Sequence, residues 1–88
     1  MALTIQQIRD NCIRARHLIQ RSRAQHFAVG AFNIDNQETL IAVARAAHAK
    51  QSPVLVEVSH GEVEALGLDN IRDMVDNFKY QYGEEIYI

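Results

Sequence analysis

Polar side chains that can do chemistry follow two apolar runs of the chain. Asn33 ends the run that begins at Phe27, and Ser59 ends the valine-rich run that begins at Val54. An asparagine amide can donate a hydrogen bond to a substrate oxygen, and a serine hydroxyl with the following backbone N–H groups can contact a phosphate. Asn33 and Ser59 are therefore the candidate binding residues. The alternatives are a helix-capping asparagine and an ordinary strand-ending turn.

A histidine and two glutamates directly after the second run have the side chains of a metal site. His60, Glu62 and Glu64 carry the imidazole and carboxylate groups that suit zinc or manganese. Their alternate spacing places them on one face only if the segment is extended, whereas Gly61 indicates a turn. The sequence therefore predicts no metal ligands here. The single cysteine, Cys12, excludes a paired-cysteine zinc site and is predicted to be a small core residue.

Hydrophobic periodicity and cap residues divide the chain into alternating helices and strands. Thr4 can cap a leading helix whose apolar residues recur at helical spacing from Ile5 to Ile19, and which should end near residues 22–25. The remaining predicted elements are a strand over 27–34, a helix over 37–50 capped by Asp35-Asn36, a strand over 54–59 opened by Pro53, a loop over 59–68, a third helix capped by Asp69 and ended by Gly83, and the entry to a third strand over 84–88.

Strands that alternate with helices predict right-handed βαβ units and a parallel sheet, which is an α/β fold. Barrels and doubly wound sheets share this pattern. Val54, Val56 and Val58 are uniformly apolar and should pack under helices, which turns Glu57 and Ser59 to the other face. A mid-strand carboxylate is costly to bury without a partner, so Glu57 favours the polar interior of a barrel. The 88 residues fall far short of the about 250 that a closed barrel takes.

Composition is that of an ordinary globular chain. The formal net charge is −2, and there is neither an apolar run long enough to cross a membrane nor a signal-peptide core. These features predict a cytoplasmic protein with no nucleic-acid and no membrane partner. Residues 1–26 hold five arginines against one acid. A solvated helix face explains them most simply, and the alternatives are an organelle transit peptide and a surface for an anionic partner.

Two segments at characteristic spacing carry a resemblance to a known family. The first reads Ala-Phe-Asn-Ile-Asp-Asn-Gln-Glu over 31–38 and leads into a helix with Ala-Ala at 46–47, and the second reads Ser-Pro-Val-Leu-Val-Glu-Val-Ser over 52–59. With the helix before them, they resemble the first two βα units of class II ketose-bisphosphate aldolases, which include the fructose- and tagatose-bisphosphate enzymes. The resemblance implies the N-terminal portion of a TIM (β/α)8 barrel, with residues 1–26 as a leading helix and residues 27–88 as a βαβαβ segment.

The resemblance also implies zinc-dependent, reversible aldol cleavage of a ketose bisphosphate to dihydroxyacetone phosphate and an aldehyde. In such enzymes the residue matching Asn33 lies beside the bound substrate, and the one matching Ser59 contacts its phosphate. The catalytic aspartate and the first zinc histidine of the family follow the third strand, beyond Ile88. We therefore expect no catalytic and no metal-binding residue in this chain, no zinc bound to it, and no activity from it alone.

Departures from the family pattern keep other functions open. The position of Glu57 is often an amide in these aldolases, and residues 60–64 differ from the usual loop of small residues. The main alternative is a non-catalytic barrel subunit or self-associating module, as a homo-oligomer or in association with another chain, because an unpaired strand edge invites association. A small doubly wound domain unrelated to aldolases is the third hypothesis, and apolar packing around Glu57 would support it.

Overall fold

The computed structural model, which describes residues 4–82 and 85–87, has three strands and four helices, and the last two helices are consecutive. The elements are α1 (Ile5–Gln25), β1 (Gly30–Asn33), α2 (Gln37–Lys50), β2 (Val54–Glu57), α3 (His60–Leu66), α4 (Leu68–Tyr82) and β3 (Ile86–Tyr87). The strands are parallel, in the order β1-β2-β3, which confirms the predicted α/β class. Three strands are common to barrels and doubly wound sheets, so the barrel stays a prediction. None of these helices is both long and apolar enough to span a membrane.

Helix α1 begins and ends where its sequence predicts. The hydroxyl of Thr4 accepts the N–H of Gln7 at 3.1 Å, and the Gln7 side chain accepts the N–H of Thr4 at 2.8 Å. These two bonds satisfy donors that the first turn and the cap of a helix leave free. At the other end His26 adopts a left-handed conformation with φ of 57°, and its N–H donates to the carbonyl of Ser22.

The buried face of α1 differs from the predicted apolar stripe. Leu18 is fully buried, and Asn11 lies two turns before it on the same face, partly buried. Cys12 is exposed, so the prediction of a core cysteine is wrong. Ile5 and Ile19 of the predicted stripe are 72% and 48% exposed. The helix turns Asn11 toward hydrogen-bond partners on α4, and this orientation leaves those isoleucines facing water.

Helix α2 also follows its predicted bounds. The side chain of Asn36 accepts the N–H of Thr39 at 2.9 Å, and the Thr39 hydroxyl accepts the N–H of Asn36 at 3.2 Å. Of the two predicted cap residues, Asn36 is therefore the cap and Asp35 precedes it. The helix ends at Lys50, and its C-cap Gln51 is left-handed with φ of 51°. Local capping chemistry thus sets both ends of this element.

In the register of the sheet, the last residues of β1 and β2 lie opposite each other, as do the first residues of β2 and β3. Asn33 lies opposite Glu57, and Val54 lies opposite Ile86. Val54 and Val56 are buried in the apolar cluster beneath the helices, as predicted. Because side chains alternate along a strand, Glu57 faces the other side of the sheet, where it is exposed. This exposure differs from the apolar packing that would support the unrelated doubly wound domain.

The segment after β2 is helical, which corrects the predicted loop over 59–68. Ser59 caps α3, and its hydroxyl accepts the N–H of Glu62 at 3.2 Å. Gly61 therefore lies inside a helix and not in a turn. The predicted strand over 54–59 is shorter for the same reason, because its last residue serves as a helix cap. The first strand is also shorter than the predicted span of 27–34.

The last helix and strand lie close to their predicted places. Gly67, with φ of 86°, separates α3 from α4. Helix α4 begins at the next residue, so Asp69 lies in its first turn and the prediction that Asp69 caps it is wrong. The predicted helix end at Gly83 lies outside the described residues, as do positions 84 and 88 of the predicted third strand. Strand β3 confirms the described part of that prediction.

An apolar cluster fills the space between the sheet and helices α2 and α4. Side chains from the strands meet the alanine-rich stripe of α2, whose small residues allow the helix to lie close to the sheet. Burying these side chains stabilises the fold because it removes apolar surface from water. The buried members are Ile34, Leu40, Ala44, Ala47, Val54, Val56, Val75 and Ile86.

Candidate functional site

The carboxyl ends of β1 and β2 lie side by side and bring the two predicted binding residues to one edge of the sheet. Asn33 ends β1 and lies opposite Glu57, which ends β2. The N–H of Ile34 donates to the carbonyl of Glu57 at 3.0 Å and so ties the two ends together. Ser59 follows two residues after Glu57. Ligands of parallel α/β folds bind at this edge. We refer to Asn33, Glu57 and Ser59 as the rim.

The side chain of Asn33 is open to solvent. It is exposed, and within residues 4–82 and 85–87 it makes no side-chain hydrogen bond. The alternative role, capping α2, is filled by Asn36. The Asn33 amide therefore retains two N–H donors and an acceptor oxygen. A substrate hydroxyl or carbonyl would find both kinds of partner in this one side chain.

The hydroxyl of Ser59 has a structural role. It accepts the N–H of Glu62 and thereby caps α3. The hydroxyl keeps its own proton, which can still donate to an acceptor such as a phosphate oxygen. The cap and the predicted phosphate contact therefore use different parts of one group. The phosphate contact itself stays a prediction.

Acidic side chains dominate the surroundings of the rim. Glu57 is exposed, and Glu62 lies in the first turn of α3. His60 pairs with Glu64 on the exposed surface of α3, with 2.9 Å between Nε2 and Oε1. A carboxylate accepts hydrogen bonds from sugar hydroxyls but repels a phosphate. The carboxylates at the described rim are therefore suited to the hydroxyl groups of a substrate.

Metal coordination does not fit this edge of the sheet. His60 and Glu64 lie one turn apart and contact each other, whereas Glu62 projects from another side of the helix. Across residues 4–82 and 85–87, no three histidine, cysteine, aspartate or glutamate side chains are grouped so that they can hold a metal ion. The zinc that the family resemblance implies therefore does not fit these residues.

A second polar group lies between α1, α4 and β3, and sequence reasoning missed it. Asn11 donates from Nδ2 to Oδ1 of Asp76 at 3.1 Å and accepts at Oδ1 from Nζ of Lys79 at 2.9 Å. The same Nζ lies 3.8 Å from the ring centroid of Tyr87. Burial raises the pKa of Asp76 and lowers the pKa of Lys79 to about 8. We refer to Asn11, Asp76, Lys79 and Tyr87 as the latch.

A weak signal for the latch is present in the sequence. Asp76 and Lys79 stand three positions apart on α4, next to the apolar positions Val75 and Phe78. Charged residues beside core positions are seldom buried unless they are paired, so their placement calls for a partner. The partner, Asn11, is 65 and 68 positions away along the chain. No local pattern can connect residues at that separation.

An apolar groove of about 660 Å³ lies between β1 and α2. Strand β1 is an edge strand of the described sheet, and its residues are exposed, including the large side chain of Phe32. An apolar surface beside a free strand edge favours contact with another polypeptide segment. The lining residues are Phe27, Ala28, Gly30, Phe32, Ala42, Val43, Ala46, Ala47, Lys50, Ser52, Pro53 and Val54.

Comparison with known proteins gives one consistent result. The family described as fructose-bisphosphate aldolase class-II matches residues 13–87. The chain is 42% identical over 55 residues to a fructose-bisphosphate aldolase of Streptococcus pyogenes serotype M3, covering 62% of this chain and 19% of that protein. A fructose-bisphosphate aldolase of Streptococcus pneumoniae serotype 4 is 40% identical over the same shares. One from Ureaplasma parvum serovar 3 is 39% identical over 66 residues, covering 74% of this chain and 23% of that protein.

These matches show how much of each relative the chain covers and which of its residues are aligned. The aligned segments span about a fifth of the length of each relative. The family match includes Asn33 and Ser59 of the rim, but it begins after Asn11 of the latch. The rim thus lies within the part of the chain that is similar to aldolases, and the latch is completed by a residue before that part.

Proposed function

Because this chain belongs to the class II fructose-bisphosphate aldolase family, we propose that it forms the N-terminal portion of a (β/α)8 barrel that carries out reversible aldol cleavage of a ketose bisphosphate. The products are dihydroxyacetone phosphate and an aldehyde. Residues 1–26 supply the leading helix, and residues 27–88 supply a βαβαβ segment. The parallel order β1-β2-β3 supports this proposal, since parallel strands joined by helices are the repeating unit of such a barrel.

The open amide of Asn33 at the carboxyl end of β1 carries the proposal for the site. Asn36 caps the following helix, which leaves the Asn33 amide available to a ligand. In the proposed complex an Asn33 N–H donates to a substrate oxygen. Ser59 donates its hydroxyl proton to a phosphate oxygen while its lone pair continues to cap α3. Both contacts hold and orient the substrate and take no part in bond cleavage.

Zinc belongs to the proposal only at the level of the whole enzyme. A catalytic zinc takes about three protein ligands in a defined geometry. The described residues, 4–82 and 85–87, offer no such group. We therefore assign neither zinc binding nor a catalytic step to them, and we expect the purified chain to be inactive as an aldolase.

A chimera tests the proposed ancestry of the segment. Residues 13–87 of this chain replace the matching segment of the Streptococcus pyogenes enzyme, and zinc-dependent cleavage of fructose bisphosphate is measured. We expect a folded chimera with kcat/KM within about tenfold of the parent, because cores tolerate extensive substitution when volume and patterning are kept. A folded chimera that binds zinc but cleaves no substrate would contradict the proposal.

Two variants of this chimera test the rim residues. Asn33→Ala removes the open amide, and we expect kcat/KM to fall about 10- to 100-fold, as for the loss of one buried hydrogen bond to substrate. Ser59→Asp keeps a helix cap but places a negative charge against the phosphate, so KM should rise about tenfold or more. Asn77→Asp makes the same charge change at an exposed position of α4 and is the control. Equal KM values for Ser59→Asp and this control would remove Ser59 from the site.

A non-catalytic, associating subunit is the second candidate function, and the groove beside β1 favours it. The groove and the free edge of β1 together offer apolar surface and unpaired backbone groups to a partner. Native mass spectrometry of the purified chain, with and without zinc, distinguishes this function from the first. A discrete oligomer supports it, whereas a stably folded monomer contradicts it.

A further inference from the structure

Helix α1 lies outside the apolar cluster that joins the sheet to α2 and α4. The buried and partly buried members of that cluster come from α2, α4, the strands β2 and β3, and the turns that follow β1 and β2. Among the residues that the structure describes, α1 contributes none of them. Leu18 is the fully buried side chain of α1. The helix and the cluster are therefore two packing units of unequal size.

Within residues 4–82 and 85–87, polar contacts attach α1 to α4 and to the segment at β3 in two places. The first is the latch, where the single amide of Asn11 bridges Asp76 and Lys79. The second is the ion pair of Arg21 with Glu85, with 2.9 Å between Nη2 and Oε2 and both side chains partly exposed. An exposed ion pair contributes little to stability. Closure of α1 therefore depends on the latch, on the burial of Leu18 and on the partly buried apolar side chains of the helix.

We propose that α1 is a strap that opens from α4 and β3 as a unit, with the latch as its fastening, while the apolar cluster stays folded. In the closed state Asp76 and Lys79 are 5% and 4% exposed. When Asn11 leaves, both charges regain water, and this hydration offsets much of the contact that is lost. Opening the strap is consequently much easier than unfolding the cluster. The strap is independent of aldolase activity, so an inactive chimera leaves this inference untouched.

Proton binding gives the strap a dependence on pH. Burial lowers the pKa of Lys79 from its ordinary 10.5 to about 8 in the closed state, and opening restores it. The closed state loses this proton first, so closure strengthens as the pH rises from about 8 toward 10.5. Burial raises the pKa of Asp76 above its ordinary 3.8, so closure also strengthens as the pH falls toward that value. The strap is therefore loosest around neutral pH.

Other charged groups face the latch from each of the surrounding elements. Lys79 and Arg72 lower the pKa of Asp76, and Asp76 raises the pKa of Lys79, but burial is the larger cause in both cases. Burial also raises the pKa of Tyr87 above 10.0, which keeps its ring neutral below that pH. The remaining groups are Arg14, Cys12 and Arg21 on α1, Asp73 on α4, and Glu85 before β3.

Hydrogen exchange of the purified chain, followed by peptide mass spectrometry, tests the strap. At about pH 7 we expect amides in the middle of α1 to exchange at least about tenfold faster than those in the middle of α2, after correction for intrinsic rates. The protection of α1 should rise about tenfold between about pH 8 and about pH 9.5, while that of α2 stays constant. Lys79→Met removes the titrating group and should abolish this rise.

Two alanine variants on the same helix separate the latch from a general effect on helix α1. Asn11→Ala removes the bridge, and we expect the protection of α1 to fall about tenfold with α2 unchanged. Gln20→Ala, at an exposed position of the same helix, should change it by less than about twofold. Labelling of an Ala15→Cys thiol, at a partly buried position of α1, in a Cys12→Ser background gives a second measurement of opening that keeps Leu18 and does not require the Lys79→Met variant.

Three results would overturn the strap. The first is equal exchange of α1, α2 and α4, since α1 would then open only by global unfolding. The second is the absence of protection in α2 and α4 of the unmodified chain, because the inference requires the cluster to persist. The third is a protection of α1 that does not change between about pH 8 and about pH 9.5.

Discussion

Two asparagines, one at the rim and one in the latch, show how the fold uses the same side chain in opposite ways. The amide of Asn33 is exposed and has no side-chain partner within the described part of the chain. The amide of Asn11 is used at both ends, donating to Asp76 and accepting from Lys79. An exposed amide without a protein partner can bind a ligand, whereas an amide that joins two neighbouring side chains through its nitrogen and its oxygen holds the protein together. Both residues are asparagines, so it is the presence or absence of protein partners for the amide that distinguishes Asn33, a candidate for ligand binding, from Asn11, which joins α1 to α4.

Among the variants that test this comparison, we expect the largest loss of stability from removing one charge of the latch. Asp76→Ala removes the buried carboxylate that accepts from Asn11 and whose charge raises the pKa of Lys79, and losing a hydrogen bond to a charged group costs about 1.5–3 kcal/mol. Opening of α1 limits the loss, so we expect α1 to lose its exchange protection while α2 retains it. Glu57→Ala at the rim is the control and should change the free energy of unfolding by less than about 0.5 kcal/mol. Similar effects of the two variants would remove the distinction between rim and latch.

Two asparagine variants should give an effect of intermediate size on the free energy of unfolding. Asn36→Ala removes the cap of α2 and should cost about 1 kcal/mol in the free energy of unfolding, measured with urea. Asn33→Ala removes an exposed amide and should cost less than about 0.5 kcal/mol. In the chimera the order should reverse, since Asn33→Ala lowers kcat/KM and Asn36→Ala leaves it near that of the parent. A larger stability loss for Asn33→Ala would mean that its amide has a structural partner.

The smallest effect should come from the surface contact that accompanies the latch. Arg21→Gln breaks the ion pair with Glu85, and we expect a loss of at most about 1 kcal/mol in the free energy of unfolding. Because both groups are partly exposed, concentrated salt should reduce even this difference between the variant and the parent chain. A loss that is larger, or that resists salt, would show that α1 is fastened at Arg21 and not at the latch.

Sequence reasoning succeeded wherever a structural signal was local. Thr4 and Asn36 accept backbone N–H groups three residues ahead, so helix starts could be predicted from short patterns. The valines of β2 predicted its buried face because side chains alternate along a strand. The same locality misled at α3, where Gly61 suggested a turn although the cap formed by Ser59 and the residues after it favour a helix. Two local signals competed there, and the cap prevailed.

Contacts between residues far apart in the sequence could not be predicted from local patterns. The orientation of α1 depends on Asn11 meeting Asp76, 65 positions away, and this contact turned Cys12 out of the core that its spacing predicted. Asn33 and Ser59 could be placed at neighbouring strand ends because the parallel sheet itself was predictable. Their contacts with a substrate depend on groups that neither the pattern nor the described residues contain, so these roles remain predictions.

The ends of α1 and α2 have a consequence for the heat resistance of the chain. His26 and Gln51 are left-handed, with φ of 57° and 51°, and both side chains are exposed. This conformation costs an L-residue about 1–2 kcal/mol, whereas glycine adopts it freely. Each kcal/mol recovered would raise the melting temperature of a domain of this size by roughly 4–8 °C. The chain therefore melts below the temperature its architecture permits, and two exposed positions outside both rim and latch set that margin.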